Sequence, residues 1–297
     1  MQIKNTSFDG LKAIELKTSR ARLILVTEIG PRVAHLSSIR GKIESRNLLF
    51  WDFKKKYQRK DWKLRGGHRV WGTRPGADEA EETYAPDNSA CEVRVGKNGV
   101  TALAPEISAS GIRKSLSIKV LDDATFHVES AIKNTGDMLW SGGVWALTCT
   151  LPSKSCTYGI PLGNGSEWDV FAIVTSKSWA GHSSLVNDPQ ISINESNMVI
   201  VPKGRECKRM VQAPQGLIGM TDATERISFL KHSPYDRGAQ YPLNCNLSFY
   251  IGPKNFMVEL ESMGPEKTLK PGETARNVET WGLRDPVDWK RAKKVVL

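Results

Sequence analysis

The chain has 297 residues, of which 39% are hydrophobic and 25% are charged, and it carries a formal net charge of +10. These proportions are typical of globular proteins, so they argue against a disordered chain and against an integral membrane protein. The N-terminal stretch has no apolar secretion segment and no run is long enough to cross a bilayer, so we expect a cytoplasmic protein without a membrane partner.

The cysteines predict free thiols. They are odd in number and form no CxxC pair, and they are Cys91, Cys149, Cys156, Cys207 and Cys245. Because thiols stay reduced in a chain without a secretion signal, we expect all five to be buried and unpaired. No histidine or second cysteine stands beside them at zinc-ligand spacing, so the sequence indicates no metal and no cofactor.

The positive charge first raises the question of nucleic acid, since a basic stripe is the footprint of phosphate binding. The basic residues cluster at 54–65 and 290–294, without a helix-turn-helix, finger or RNA-binding pattern. We therefore expect no nucleic-acid partner. The same charge would suit an acidic saccharide or serve solubility alone.

Short segments with alternating β-branched residues follow one another along the chain, as is typical of an all-β protein. The predicted strands cover 21–26, 32–36, 91–95, 100–103, 112–120, 125–133, 143–151, 191–193, 198–202, 215–220, 227–230, 246–251 and 256–261. Lys97-Asn98-Gly99 is a hairpin turn, and Val287–Lys294 is the one stretch with helical period. The pattern predicts one domain over residues 1–297, a large antiparallel sandwich that is a monomer or a homodimer.

The segment Gly66–Asn88 concentrates groups that a sugar site needs. Its two leading glycines let the backbone turn tightly or approach a ligand closely. An imidazole, a guanidinium, an indole and several carboxylates follow. An ordinary solvated loop is the alternative interpretation. The candidate site residues here are His68, Arg69, Trp71, Glu82, Asp87 and Asn88.

Glu259 and Glu261 stand two apart on a predicted strand, so the pleat places both carboxylates on one face. Close like charges disfavour ionisation of one of them, which makes it a candidate general acid or base near neutral pH. The alternative is an exposed strand face with salt-bridged glutamates.

The C-terminal order of elements resembles the signature of the galactose mutarotase-like superfamily. The strand VELES at Val258–Ser262 is followed by the turn LKPGE at Leu269–Glu273 and by a closing strand at Glu279–Leu283. In that superfamily, a glutamate on the penultimate strand precedes a Leu-x-Pro-Gly-Glu turn and a last strand.

The N-terminal half is similar to the same superfamily. Glu28–Val33 resembles its early Gly-Ala/Pro-Arg turn, Asn47–Trp51 resembles the strand that follows, and GGHRVW at Gly66–Trp71 stands where relatives carry a Gly-Gly substrate loop. The resemblance runs from about Thr18 to Leu283 and is nearest to a bacterial branch. It implies a large antiparallel β-supersandwich with a concave sugar-binding face.

The superfamily's epimerases use a glutamate base on the anomeric hydroxyl and a histidine acid on a central strand. Carried over by position, the base is Glu261, with Glu259 as neighbour or rival. The central strand Gly143–Thr148 offers Trp145 where the histidine is expected. His68 is therefore the predicted acid. The alternatives for that role are Lys231, His232, Tyr235 and Tyr241.

The leading hypothesis is a carbohydrate-active protein of the aldose 1-epimerase type that binds a neutral or acidic sugar. The predicted sugar-contacting set, beyond the residues of the Gly66–Asn88 segment, is Arg32, Trp145, Lys231, Tyr241 and Glu259. A polysaccharide lyase that acts by β-elimination on an acidic glycan is the second hypothesis, with roles for His68, Arg69, Tyr84, Lys231 and Tyr241. A non-catalytic carbohydrate-binding module is the third, favoured by Trp145 in the place of a histidine.

Overall fold

The computed structural model describes residues 1–52, 58–59, 62–76, 83–106, 110–163, 171–175 and 185–297. Its strands up to residue 134 are β1 (Gln2–Phe8), β2 (Leu11–Lys17), β3 (Ala21–Val26), β4 (Arg32–Arg40), β5 (Ile43–Glu44), β6 (Gln58–Arg59), β7 (Trp62–Lys63), β8 (His68–Gly72), β9 (Glu92–Val95), β10 (Gly99–Leu103), β11 (Ile112–Asp122) and β12 (Thr125–Asn134).

The later strands are β13 (Trp140–Gly142), β14 (Val144–Thr150), β15 (Cys156–Pro161), β16 (Ala172–Val174), β17 (Ile191–Ile193), β18 (Asn197–Ile200), β19 (Cys207–Gln212), β20 (Leu217–Asp222), β21 (Ile227–His232), β22 (Leu247–Ile251), β23 (Val258–Met263), β24 (Lys267–Leu269) and β25 (Thr274–Arg284). Two short 3₁₀ turns, Pro242–Asn244 and Pro253–Asn255, are the helical elements of the part of the chain described above.

Two large antiparallel sheets form the molecule. The first has 11 strands in the order β1-β2-β3-β4-β8-β14-β23-β22-β19-β16, with β5 paired to β4. The second has 10 strands in the order β17-β18-β15-β20-β21-β25-β12-β11-β10-β9. The pairs β13–β24 and β6–β7 are separate ribbons. The all-β, antiparallel prediction is confirmed.

The core lies between the two large sheets. Val70, Val144 and Leu260 of the first sheet belong to the same buried cluster as Phe229 and Trp281 of the second. Because side chains alternate along a strand, every second residue of a central strand enters this core and its neighbours point away from it.

The predicted hairpins form as expected, but the predicted C-terminal helix is wrong. The Lys97-Asn98-Gly99 turn joins β9 to β10, with Val95 paired to Val100. Residues 287–294 contain only a turn, because Trp289 is buried against Val199, Leu217 and Leu230 on the outside of the second sheet. Burial of the indole fixes this segment more strongly than its weak helical period.

The double glycine at the start of β8 is needed for a close approach of three strands. Gly66 and Gly67 have φ values of +79° and +72°. A Cβ at Gly67 would lie 2.2 Å from the carbonyl oxygen of Val33, and one at Gly66 would lie 2.2 Å from that of Phe50. The backbone N–H of Gly67 donates to Phe50, and its carbonyl accepts from Cys149. No other residue type fits both positions.

We expect Gly67→Ala to lower the free energy of unfolding by about 2–4 kcal/mol, because it combines a left-handed backbone with a steric clash. Gly10→Ala is the matched control, since Gly10 has a φ of +80° and nothing within 4 Å of an added Cβ. It should cost only about 1 kcal/mol. Urea denaturation of both variants tests this, and equal losses would contradict the close-approach argument.

Candidate functional site

Strands β8, β14 and β23 lie side by side, and their register decides which side chains meet. Arg69 pairs with Leu147, which pairs with Glu261, and Trp71 pairs with Trp145. Directly paired residues of antiparallel strands project to the same face, so these five side chains share one. The alternate residues fill the core, so this face points away from the second sheet. We call it the carboxylate face.

Glu261 is the most enclosed acid on the carboxylate face, with a side chain 0% exposed. The Nε1–H of Trp145 donates to its Oε2 at 3.0 Å. Lys208 of β19 places Nζ 3.8 Å from the same oxygen and 4.6 Å from the centroid of the Trp145 ring. An indole donor and an ammonium therefore both stabilise negative charge on this carboxylate.

Glu259 has a different cation. Its Oε1 accepts a hydrogen bond from Arg69 at 3.1 Å and from the Cys149 thiol at 3.2 Å. Burial opposes the charge of Arg69, but Cys149 and Glu259 outweigh it, so the pKa of Arg69 lies above its ordinary value. Burial raises the pKa of Cys149. The repulsion expected between the two glutamates is thus offset by a separate cation for each.

Two indole rings and a phenol line the carboxylate face. Trp71 and Trp145 meet edge to face, with centroids 5.6 Å apart. Tyr84 stacks on Trp71 at 3.8 Å with an interplanar angle of 21°. Both tryptophans are buried, and Tyr84 is half-buried. Flat apolar rings beside carboxylates are the combination that sugar binding uses.

Tyr84 is held in place from both sheets. Lys114 of β11 donates to the backbone carbonyls of Thr83 and Tyr84 at 2.7 and 3.2 Å. The N–H of Gly72 donates to Thr83 Oγ1 at 2.7 Å. Burial, partly offset by Asp87, lowers the pKa of Lys114 to about 8.

Arg32 and Asp87 form a buried pair that belongs to the scaffold. The guanidinium donates to Asp87 Oδ2 at 2.8 Å, to the Asp87 carbonyl at 3.0 Å and to the Gly66 carbonyl at 2.5 Å. Burial opposes ionisation of Asp87, but Arg32 and Lys114 outweigh burial, so the pKa of Asp87 lies below its ordinary value. These bonds tie the Arg32 guanidinium to protein atoms, so the structure does not support its predicted contact with sugar.

The structure does not bring His68 and its predicted partner Glu261 together on one face. His68 pairs with Thr148, and its Nδ1 lies 2.8 Å from Thr148 Oγ1 on the core side of β8. Its ring meets Trp281 of the second sheet edge to face at 4.7 Å. Burial first, and then the charge of Lys231, hold the pKa of His68 well below its ordinary value. His68 is a neutral group between the sheets, one residue out of phase with the carboxylate face.

Lys231 also lies between the sheets, so its predicted contact with sugar is not supported. Its Nζ is 2.9 Å from Glu279 Oε1 and donates to the Leu260 carbonyl at 2.9 Å. Glu279 in turn accepts from Ser262 at 2.6 Å. Of the five residues given roles in the lyase hypothesis, His68 and Lys231 lie between the sheets, whereas Arg69 and Tyr84 both contact the Trp71 ring on the carboxylate face.

The remaining predicted residues lie at the edges of the face. The Tyr241 hydroxyl accepts from the Asp236 N–H at 3.0 Å, and its ring packs at 5.2 Å on Tyr235, which accepts from Gln212 of β19. Asn88 donates to the Lys63 carbonyl at 3.4 Å. Glu82 lies outside the described residues.

Lys208 is the residue that sequence reasoning missed. Its strand, CKRMVQ, was not predicted, and the chain carries 42 lysines and arginines, so no local signal marks this one. Its place on the carboxylate face follows from its pairing with Tyr250, which pairs with Glu259. That pairing joins strands far apart in the chain, so the local sequence pattern does not predict it.

The fold is that of the galactose mutarotase-like proteins, as the resemblance implied. The chain is similar to a galactose mutarotase-like protein from Lactobacillus casei, with 11% identity, a TM-score of 0.64 and coverage of 92% of this chain and 100% of that one. It is also similar to a galactose mutarotase related enzyme from Lactobacillus acidophilus, with 10% identity, a TM-score of 0.60 and coverage of 93% of this chain and 99% of that one. For the Slr1438 protein from Synechocystis sp. PCC 6803, the identity is 15%, the TM-score is 0.62, and the match covers 95% of this chain and 99% of that one.

No family model matches the chain, and no curated protein matches it in sequence. At identities of 10–15%, the solved structures establish the fold alone. Within the described ranges, no helix is both long enough and apolar enough to cross a membrane. Across the same ranges, no three His, Cys, Asp or Glu side chains gather as a metal site.

We expect Asp87→Asn to destabilise the protein at pH 7 by about 3 kcal/mol, because it leaves Arg32 buried without its counter-charge. The pKa of Asp87 is depressed in the folded state, so its stabilisation is complete above the unfolded pKa and is lost as the pH falls through the folded one. The difference in unfolding free energy between Asp87→Asn and the wild type should therefore become smaller below about pH 4.

The matched control for this test is Asp285→Asn, since the side chain of Asp285 is 93% exposed. Urea unfolding between pH 7 and pH 3 measures both variants. If the difference in unfolding free energy between Asp87→Asn and the wild type stayed constant over this pH range, the ionised Arg32–Asp87 pair would be contradicted.

Proposed function

We propose that this protein binds an aldose on the carboxylate face and interconverts its anomers, with Glu261 as the general base. The observation that carries the proposal is the environment of Glu261, whose Oε2 lies 3.0 Å from the Trp145 N–H and 3.8 Å from Lys208 Nζ. A carboxylate that lies beside a cation and is fixed in orientation by an indole N–H is suited to removing a proton from the anomeric hydroxyl.

The aromatic side chains support a sugar as the ligand. Trp71 packs edge to face on Trp145, whose N–H donates to Glu261, and Tyr84 covers the Trp71 ring in a stacked geometry. The apolar C–H face of a pyranose stacks on an indole in the same way. Because Trp71 and Trp145 are buried, we propose that the sugar displaces Tyr84 when it binds.

The fold supports the same function at a coarser level. Solved structures described as galactose mutarotase-like or galactose mutarotase related match this fold over 92–93% of the chain. Fold alone does not determine chemistry, so the proposal depends on the carboxylate face.

We expect Glu261→Gln to lower the rate of anomer exchange by about 10²–10⁴-fold while sugar binding changes little, because the amide keeps the shape of the carboxylate and loses its basicity. A panel of neutral and acidic aldoses is screened first, and exchange between anomeric protons is measured by saturation-transfer NMR. Binding is measured separately by calorimetry.

Glu129→Gln is the matched control, since Glu129 is also a strand glutamate beside an arginine but belongs to the second sheet. It should keep the full exchange rate. Full activity in Glu261→Gln would overturn the base assignment. No exchange in the wild type, with sugar still bound, would leave a non-catalytic binding protein.

We also expect Trp145→Phe to lower the exchange rate by about 5–10-fold, because it keeps an aromatic ring but removes one hydrogen bond to the base, worth about 1–1.5 kcal/mol. The same NMR assay measures it. An unchanged rate would mean that the Trp145 N–H contributes nothing to the orientation of Glu261.

A further inference from the structure

We propose that Lys208 is the general acid of the anomer exchange, in the role that a histidine would otherwise serve. This inference rests on the proposed isomerase function and adds a second catalytic residue to it. Ring opening needs a proton acceptor at the anomeric hydroxyl and a proton donor at the ring oxygen, both within hydrogen-bond reach.

Trp145 cannot be that donor. An indole N–H donates hydrogen bonds but does not exchange its proton in the physiological range. The Trp145 N–H is moreover directed at Glu261 Oε2, at 3.0 Å. Trp145 therefore orients the base and leaves the acid to another side chain.

His68 cannot be the donor in this geometry either. Its ring lies on the core side of β8 against Trp281, and the backbone of the sheet separates it from Glu261. It is also neutral, because burial holds its pKa well below the ordinary value.

Lys208 meets the geometric requirement. Its Nζ is 3.8 Å from Glu261 Oε2, and its side chain is only 4% exposed. The anomeric hydroxyl oxygen and the ring oxygen are bonded to the same carbon, so the acid and the base for this reaction must themselves lie close together. An ammonium beside a carboxylate on one face provides that pair, and lysine takes part in proton transfer when it is buried.

The other titratable groups on this face have different partners. Among the described residues they include Glu259 and Glu261 on β23, Tyr250 on β22, Cys149 on β14, Arg69 on β8, Arg32 on β4 and Tyr84. Arg32 donates to Asp87 at 2.8 Å, and Tyr84 stacks on Trp71, from which the proposed sugar displaces it. Arg69 and Cys149 both bind Glu259, and the Tyr250 hydroxyl donates to Glu206 at 2.6 Å. An arginine also holds its proton too tightly to act as an acid.

The step balances without a co-reactant. Glu261 takes the proton of the anomeric hydroxyl, the C1–O5 bond breaks, and its electron pair on O5 takes a proton from the Lys208 ammonium. The open-chain aldehyde turns about the C1–C2 bond. Lys208 then recovers the proton from the O5 hydroxyl as O5 attacks the other face of C1, and Glu261 returns its proton to the carbonyl oxygen. Both residues end in their starting states.

The test compares Lys208→Arg with the wild type in the NMR exchange assay. Arginine keeps the positive charge beside Glu261 but cannot release its proton, so we expect kcat to fall at least 100-fold while KM changes less than about threefold. The alkaline limb of the pH profile, which reports loss of the Lys208 proton, should disappear. Lys203→Arg is the matched control, since Lys203 lies on the surface and donates to the Pro189 carbonyl.

Chemical rescue keeps the test valid if arginine does not fit. In Lys208→Ala, added methylammonium should raise the exchange rate at least tenfold, and the rate should reach a plateau as the methylammonium concentration increases. Guanidinium at the same concentration should not raise the rate. His68→Asn should leave the pH profile unchanged, because His68 faces the core. Thermal unfolding of each variant checks that it is folded.

The outcomes separate the two proposals. An active Lys208→Arg together with an inactive Glu261→Gln would overturn Lys208 as the acid and keep the isomerase. A pH profile that moves in His68→Asn would also overturn it. If Glu261→Gln retains the wild-type rate, or if the wild type exchanges no sugar, the proposed function itself fails.

Discussion

The alternation of side chains along β8, β14 and β23 is the constraint on which the rest of the structure depends. Each strand gives one set of residues to the core and the other to the carboxylate face. Leu260 thus lies in the core while Glu259 and Glu261 project the other way. Because the two sets are interleaved, a register slip of a single residue would bury the carboxylates in the core and expose the core side chains. The site and the core are specified by the same hydrogen-bond ladder.

Buried charge is tolerated here because it is matched pair by pair. An isolated buried ion is strongly destabilising, so each one requires a partner of opposite charge at close range. Arg69 with Glu259, Lys208 with Glu261 and Lys231 with Glu279 follow this rule at 3.1, 3.8 and 2.9 Å. The first two pairs lie on the carboxylate face and the third lies between the sheets. On the carboxylate face, each of the two neighbouring glutamates thus has its own cation.

The sequence predicted what local period controls and missed what strand pairing controls. The spacing of Glu259 and Glu261 placed both on one face, as the register confirms. The same period could have removed His68 from the site, because in GGHRVW it places His68 with apolar Val70 and places Arg69 with Trp71 on the opposite side. Lys208 was out of reach, because two strand pairings across β22 place it level with Glu259 and so near Glu261, and these pairings depend on the complete topology. Aromatic burial at Trp289 overrode the weak helical period near the C-terminus in the same way.

The second sheet fixes the position of the base from behind. The residues on either side of Glu261 are each hydrogen-bonded to the second sheet. The Leu260 carbonyl accepts from Lys231, and the Ser262 hydroxyl donates to Glu279. Asn277 adds hydrogen bonds of 3.0 and 2.9 Å to the Ser262 carbonyl and hydroxyl. A shift of Glu261 along or out of the sheet would break these buried bonds, each of which is costly to leave unmade. The polar network between the sheets, which contains none of the groups on the carboxylate face, therefore holds the Glu261 carboxylate in one place, as the proposed opening and closing of a sugar ring requires.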